Sequence, residues 1–252
     1  LYMSVPAVIT IHDLNAMLFP GYYTKGKWWR KPAAGWLYRS GIKKAKRIIT
    51  PSYTTANDLC SMFPGAREKV VPVHFGYKRA CPEGVSGRHL KLRIDLPPEY
   101  ILYVGVHRPH KNLEGLIRAI YCLRSRGRKM SLVVAGAMDK RFTGPQNEVA
   151  SLKLETAVRF IGYVSDEELV ILYKNALGMV FPSFQEGFGL PLLEAMDYGV
   201  PIACSDIPVH REVAGDAALF FNPKSPEDMA RIISRMLNDN NLRKELIKAG
   251  QN

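Results

Sequence analysis

The chain has 252 residues, 47% of them apolar, and a formal net charge of +12. That length holds one large domain or two of ordinary size with substantial cores, which excludes a disordered or fibrous protein. No run of about 18 uninterrupted apolar residues occurs, which excludes a membrane-spanning helix, and residues 1–10 lack the basic start and long apolar centre of a secretory signal.

A cytoplasmic protein is therefore expected. Cys60, Cys81, Cys122 and Cys204 are scattered, with no Cys-x-x-Cys pair and no clustering with histidine, so free thiols are expected and a zinc site is not. Charge is uneven along the chain. Residues 1–90 carry fourteen Lys and Arg against four Asp and Glu, whereas residues 91–252 are nearly balanced. A basic first third suits an anionic partner, with a membrane surface or nucleic acid as candidates, or a merely solvated basic face.

The first element is the β-branched run from Ala7, which ends in His12 and Asp13. In open α/β sheets ligands bind at the carboxyl ends of strands. His12 is thus either a site residue or a core histidine bonded to backbone. Residues 19–32 follow as a loop in which Tyr22, Tyr23, Trp28 and Trp29 interleave with Lys25, Lys27, Arg30 and Lys31. Such a mixture suits a membrane interface or single-stranded nucleic acid, or covers the domain beneath it. A basic helix over 33–45 feeds a strand at 47–50, then Ser52, Thr54 or Thr55 caps the next helix, and residues 69–75 form another strand. From 77 to 99 glycine and proline break every period, so the boundaries are 1–80 for a first domain, 81–98 for a linker and 99–252 for a second domain.

The second domain opens with a strand at 100–105 and a helix whose Leu113, Leu116, Ile117, Ile120 and Leu123 share one face. Further strands are expected at 131–135, 158–161, 178–181, 201–204 and 218–221, with helices between them, including 166–176 and 226–237. This alternation is parallel α/β and Rossmann-like. The loop Gly105-Val-His-Arg-Pro-His does not supply Gly-x-Gly-x-x-Gly, which removes the main support for dinucleotide binding.

The stretch from Ser183 to Asp206 reads as loop, helix, turn and strand. Gly187 and Gly189 let backbone approach a ligand, and Pro191 suits a first helical turn, so free amides with partial positive charge precede the helix. Glu186 and Glu194 bracket those amides, with Glu194 expected as the fourth helical residue. Residues 186–194, Glu-Gly-Phe-Gly-Leu-Pro-Leu-Leu-Glu, resemble the Glu-x7-Glu motif of the retaining glycosyltransferases of family 4. The segments 195–201 and 207–215, the strand ending His-Asp-Leu, and Gly105-Val-His-Arg-Pro-His-Lys-Asn112 are similar to the same family.

The resemblance implies a GT-B fold, in which two Rossmann-like domains with parallel sheets face a cleft. It further implies transfer of a hexosyl group, mannose or glucose, from a GDP- or UDP-linked sugar to a glycan or lipid-linked acceptor. By the same resemblance Glu186 lies by the donor sugar, Gly187, Phe188, Gly189 and Leu190 offer amides to sugar hydroxyls and phosphate, and Glu194 takes the ribose hydroxyls. His12 faces the reacting sugar. Lys111 matches a family lysine that holds the diphosphate. The position after Gly105, an arginine in many members, is Val106 here, so Arg108 is taken as its substitute, and His110 stands where arginine is frequent. A lysine beside a helix start opposes the helix dipole, which suits an anionic ligand. No Asp-x-Asp triplet occurs, in keeping with a family that meets phosphate with side chains, so no metal or cofactor beyond the donor is expected. The alternatives are a non-catalytic nucleotide-sugar-binding relative or fragment that pairs with another chain and a nucleic-acid-binding protein; the intact His12, Lys111, Glu186 and Glu194 favour the enzyme over both. Set against the family, the chain reads as truncated at both ends, with an incomplete first domain. Peripheral contact with the inner face of an anionic membrane is the expected use of the basic first third.

Overall fold

The computed structural model describes residues 6–18, 30–77, 96–139 and 141–251. The aromatic, basic stretch 19–29, most of the expected linker and Cys81 lie outside the described residues. The chain forms two compact units. One comprises Leu1–Gly76 with Gln185–Gly189 and Pro208–Val213; the other comprises Tyr77–Phe184, Leu190–Ile207 and Ala214–Asn252.

In the first unit, β1 (Ala7–Thr10), β2 (Ala45–Thr50) and β3 (Val70–Pro72) form a parallel sheet in that order. The short helix α1 (Asn15–Leu18) follows β1, and the Asp13 carboxylate accepts the Asn15 N–H at 2.9 Å. Helix α2 spans Arg30–Lys44, three residues earlier than the pattern after Pro32 suggested. Proline is tolerated in the first turn, where its missing N–H has no intrahelical partner, so Pro32 does not mark the start. Helix α3 (Tyr53–Met62) takes Ser52 as its cap among the three candidates: Ser52 is extended and its hydroxyl accepts the Thr55 N–H at 3.0 Å. Ile11, Leu14, Ile42, Ile48, Leu59 and Phe63 close a core between helices and sheet.

The second unit holds six parallel strands in the order β6-β5-β4-β7-β8-β9. They are β4 (Tyr100–Val104), β5 (Ser131–Ala135), β6 (Val158–Gly162), β7 (Gly178–Phe181), β8 (Ile202–Ser205) and β9 (Ala218–Phe221). Counted from β4 this is the 3-2-1-4-5-6 order of Rossmann sheets, with strand order reversing between β4 and β7. Side chains alternate as a strand requires: Ile101 and Tyr103 enter one core with Leu132, Val134 and Val180, while Tyr100 on the other face donates its hydroxyl to the Leu172 carbonyl at 2.8 Å. That core is closed by α4 (Leu113–Ser125) and α9 (Pro226–Asn238), whose apolar residues recur at helical spacing. Between them in the chain come α5 (Gly144–Ser151), α6 (Asp166–Asn175), α7 (Leu190–Asp197) and α8 (Pro208–Ala214), of which all but Ala214 belongs to the first unit, and α10 (Asn240–Gln251) follows α9. Ser165 and Glu168 form a reciprocal capping box at the start of α6.

Candidate active site

In the second unit the reversal of strand order at β4 and β7 opens a crevice at their carboxyl ends, where two loops meet. The first, from Gly105 to Asn112, ends in a 3-10 turn over Pro109–Lys111. Asn112 adopts a left-handed conformation, φ 55°, and its amide donates to the carbonyls of Pro182 at 3.0 Å and Pro223 at 2.8 Å. It thereby pins this loop to the segments leaving β7 and β9. The Phe184 N–H donates to the His110 carbonyl at 2.8 Å, which joins the two loops directly.

The Asn112 Nδ2 group donates to those carbonyls, and the side chain makes no cap bond to α4. The helix start therefore presents amides with partial positive charge, and Lys111 stands immediately before it, its Nζ 5.3 Å from the centre of the Phe181 ring. Arg108 lies one turn earlier, half-buried, its carbonyl accepting the Lys111 N–H. His107 is fully buried, and burial lowers its pKa, which favours the neutral ring. A helix start with two cations on the loop ahead of it is suited to a diphosphate.

Helix α7 begins at Leu190, directly after the glycines, which makes Glu194 its fifth residue and not its fourth. The Tyr173 hydroxyl donates to the Glu194 carboxylate at 2.8 Å. Burial raises the pKa of Glu194, an effect that the Tyr173 bond opposes. An inward carboxylate with spare acceptor capacity suits vicinal hydroxyls.

In the first unit the loop bearing Glu186 meets the end of β1. Glu186 is buried, and Gly187 lies so close to the chain at His12 that a Cβ there would sit 1.9 Å from the His12 carbonyl oxygen. Gly189 has φ 110°, a conformation that favours glycine. The ring of Phe188 packs edge-on against Phe75, 5.4 Å between centres, and Phe75 lies 5.6 Å from the His12 ring. His12, Glu186, Gly187, Phe188 and Gly189 are thus brought together in one unit, and Arg108, Lys111, Leu190 and Glu194 belong to the other.

Four further residues are missed by sequence reasoning. The hydroxyls of Ser52 and Thr55 donate to the Gly187 carbonyl at 2.8 and 3.0 Å. The Glu212 carboxylate accepts the N–H groups of Tyr53 and Thr54, the Thr54 hydroxyl and, at 2.8 Å, His74 Nε2. Burial alone would raise the Glu212 pKa, but these donors hold it below the usual glutamate value. Ser52 was visible as a cap, and Glu212 sat inside a family-like segment; their meeting was not visible, because the partners are 132 to 159 positions apart.

A family model described as glycosyl transferases group 1 matches residues 89–252, and one described as glycosyltransferase family 4 matches residues 1–78. The chain is 31% identical to O-antigen chain mannosyltransferase B of Escherichia coli over 94% of its own length and 62% of that protein's. It is 29% identical to O-antigen chain mannosyltransferase RfbU of Salmonella typhimurium over 85% of its length and 56% of that protein's. The chain thus spans about 60% of the length of these curated relatives. Among solved structures, that of Anabaena Alr3699/HepE in complex with UDP and glucose superposes with a TM-score of 0.79 at 18% identity, covering 98% of this chain and 66% of that one. The fold is GT-B, and the chain belongs to the glycosyl transferases group 1 family.

Proposed function

We propose that the protein is a retaining glycosyltransferase that moves a hexosyl group from a nucleoside-diphosphate sugar to a glycan or lipid-linked acceptor. The observation that carries this is the pairing, at the β4 and β7 ends, of an uncapped helix start preceded by Lys111 and Arg108 with a helix whose fifth residue is the inward carboxylate Glu194. The names of the two O-antigen mannosyltransferases favour mannose, which points to GDP-mannose; the UDP and glucose bound to the Anabaena protein make a UDP-linked donor the second choice.

Breaking the bond between anomeric carbon and phosphate leaves negative charge on the departing diphosphate and positive character on the sugar. Lys111, Arg108 and the amides at the start of α4 meet the first, where charge grows as the bond breaks. In this reading no metal is needed, because fixed cations and amides carry that load. Glu194 takes the ribose hydroxyls, Glu186 and the amides of residues 187–190 hold the sugar, and His12 faces it.

Peripheral membrane contact through the basic part completes the proposal, at the cytoplasmic face. Trp36 and Leu37 on α2 are 67% and 59% exposed, and Lys43 and Lys44 end the same helix, which suits an anionic lipid surface. No described helix is long and apolar enough to cross a membrane. The test is a screen of nucleotide sugars for donor hydrolysis, followed by transfer to candidate acceptors. Turnover of GDP-mannose supports the proposal; nucleotide binding without turnover of any donor makes the protein a non-catalytic relative.

A further inference from the structure

The Ser52 and Thr55 hydroxyls have no place in the proposed chemistry, yet both converge on one backbone atom of the loop that the proposal assigns to the donor sugar. Each hydroxyl has one proton to give. With both protons on the Gly187 carbonyl, the 3.0 Å approach between the two hydroxyls is a contact and not a third bond. Ser52 at the same time accepts the Thr55 N–H, and Glu212 accepts the next two free amides of α3, those of Tyr53 and Thr54. The start of α3 is therefore capped from two directions, and its cap is what grips the loop.

The peptide bond is planar and trans, so the Gly187 carbonyl and the Phe188 N–H point in opposite directions. Holding the carbonyl toward α3 turns the Phe188 N–H away from it, and among the described residues no acceptor takes that N–H. Phe188 is 6% exposed and its ring is held between Phe75 and His74, whose ring centre is 5.5 Å away, which anchors the residue that carries this N–H. His74 is itself fixed by Glu212.

We infer that Ser52 and Thr55, supported by Glu212, are positioning residues that aim the Phe188 amide at the donor sugar. The inference rests on the proposed donor role of this loop. Removing the hydroxyls loosens the 186–189 segment and lowers turnover, while Lys111 and Glu194, in the other unit, keep their grip on the nucleotide.

Ser52→Ala removes a helix cap as well, so Thr55→Val is the cleaner variant: it deletes one bond to Gly187 and leaves the Ser52 cap in place. Amide hydrogen exchange, donor turnover and calorimetric affinity for GDP and UDP are compared for the wild type, Thr55→Val, Thr55→Ser and Ser52→Ala/Thr55→Val. Exchange over 186–189 should rise about tenfold in the double variant and about threefold in Thr55→Val, with turnover falling by similar factors. Affinity for GDP and UDP should stay within about twofold, and Thr55→Ser, which keeps the hydroxyl, should behave as wild type. Unchanged exchange over 186–189 in the double variant overturns the inference, as does a loss in Thr55→Ser equal to that in Thr55→Val. If the wild type hydrolyses no nucleotide sugar, the proposed function fails, and the exchange data alone decide whether the hydroxyls hold the loop.

Discussion

Replacing Gly187 with alanine tests how tightly the donor loop is seated. A Cβ at this position would lie 1.9 Å from the His12 carbonyl oxygen, and ordinary contact begins at 3.4 Å, so the backbone must shift by roughly 1.5 Å. Both sides resist. The His12 carbonyl is at the end of a paired strand, and the Gly187 carbonyl is held by Ser52 and Thr55. Forcing a methyl into such a space costs about 1–3 kcal/mol, and a 1 Å misplacement of a binding group costs about 100-fold in rate. Gly187→Ala should therefore lower the thermal midpoint modestly and reduce donor turnover by about 100-fold, with little change in affinity for bare nucleoside diphosphate. Differential scanning fluorimetry, a donor-hydrolysis assay and calorimetry read these three quantities. Turnover within about threefold of wild type would refute the reasoning, since a displaced loop could not leave the chemistry intact.

Glu194→Ala should weaken nucleoside diphosphate binding by about 1.5–3 kcal/mol, the range for hydrogen bonds to a charged group, and unchanged calorimetric affinity would remove its ribose role. The raised pKa of Glu194 adds a pH signature: the acceptor form is lost as pH falls through a value above the usual 4.5, so affinity should decline there, and Glu194→Gln should abolish that decline. Lys111→Ala and Arg108→Ala should reduce turnover more than nucleoside binding, because the charge they meet grows in the transition state; an Arg108→Ala variant with wild-type turnover would leave Lys111 without its second cation. Trp36→Ser with Leu37→Ser should reduce sedimentation with anionic vesicles while donor hydrolysis persists, and full retention of vesicle binding would exclude this face of α2. The lowered pKa of Glu212 means its stabilisation is present above the usual glutamate value of 4.5 and is lost as pH falls through the lower folded value. Amide exchange at Tyr53 and Thr54 should accelerate in that acidic window and do so less in Glu212→Gln.

Much of the fold was legible because its signals are local. Short, nearly continuous apolar runs marked strands 131–135, 178–181 and 218–221 at the bounds the structure gives, and the apolar face of residues 113–123 marked α4. Helix starts were less so, since Pro32 fits inside a first turn as well as before one. The motif residues could be named through the resemblance to family 4, because the strand end, the two glycines and the helix start that carry it are consecutive in sequence. What tertiary structure decided was the strand order that places the β4 and β7 loops side by side, and the capture of residues 185–189 and 208–213 by the first unit. Parallel pairing and side-chain bonds to distant backbone leave no periodic trace. Ser52 therefore reads as an ordinary helix cap until the Gly187 carbonyl, 135 residues on, is seen to lie against its hydroxyl.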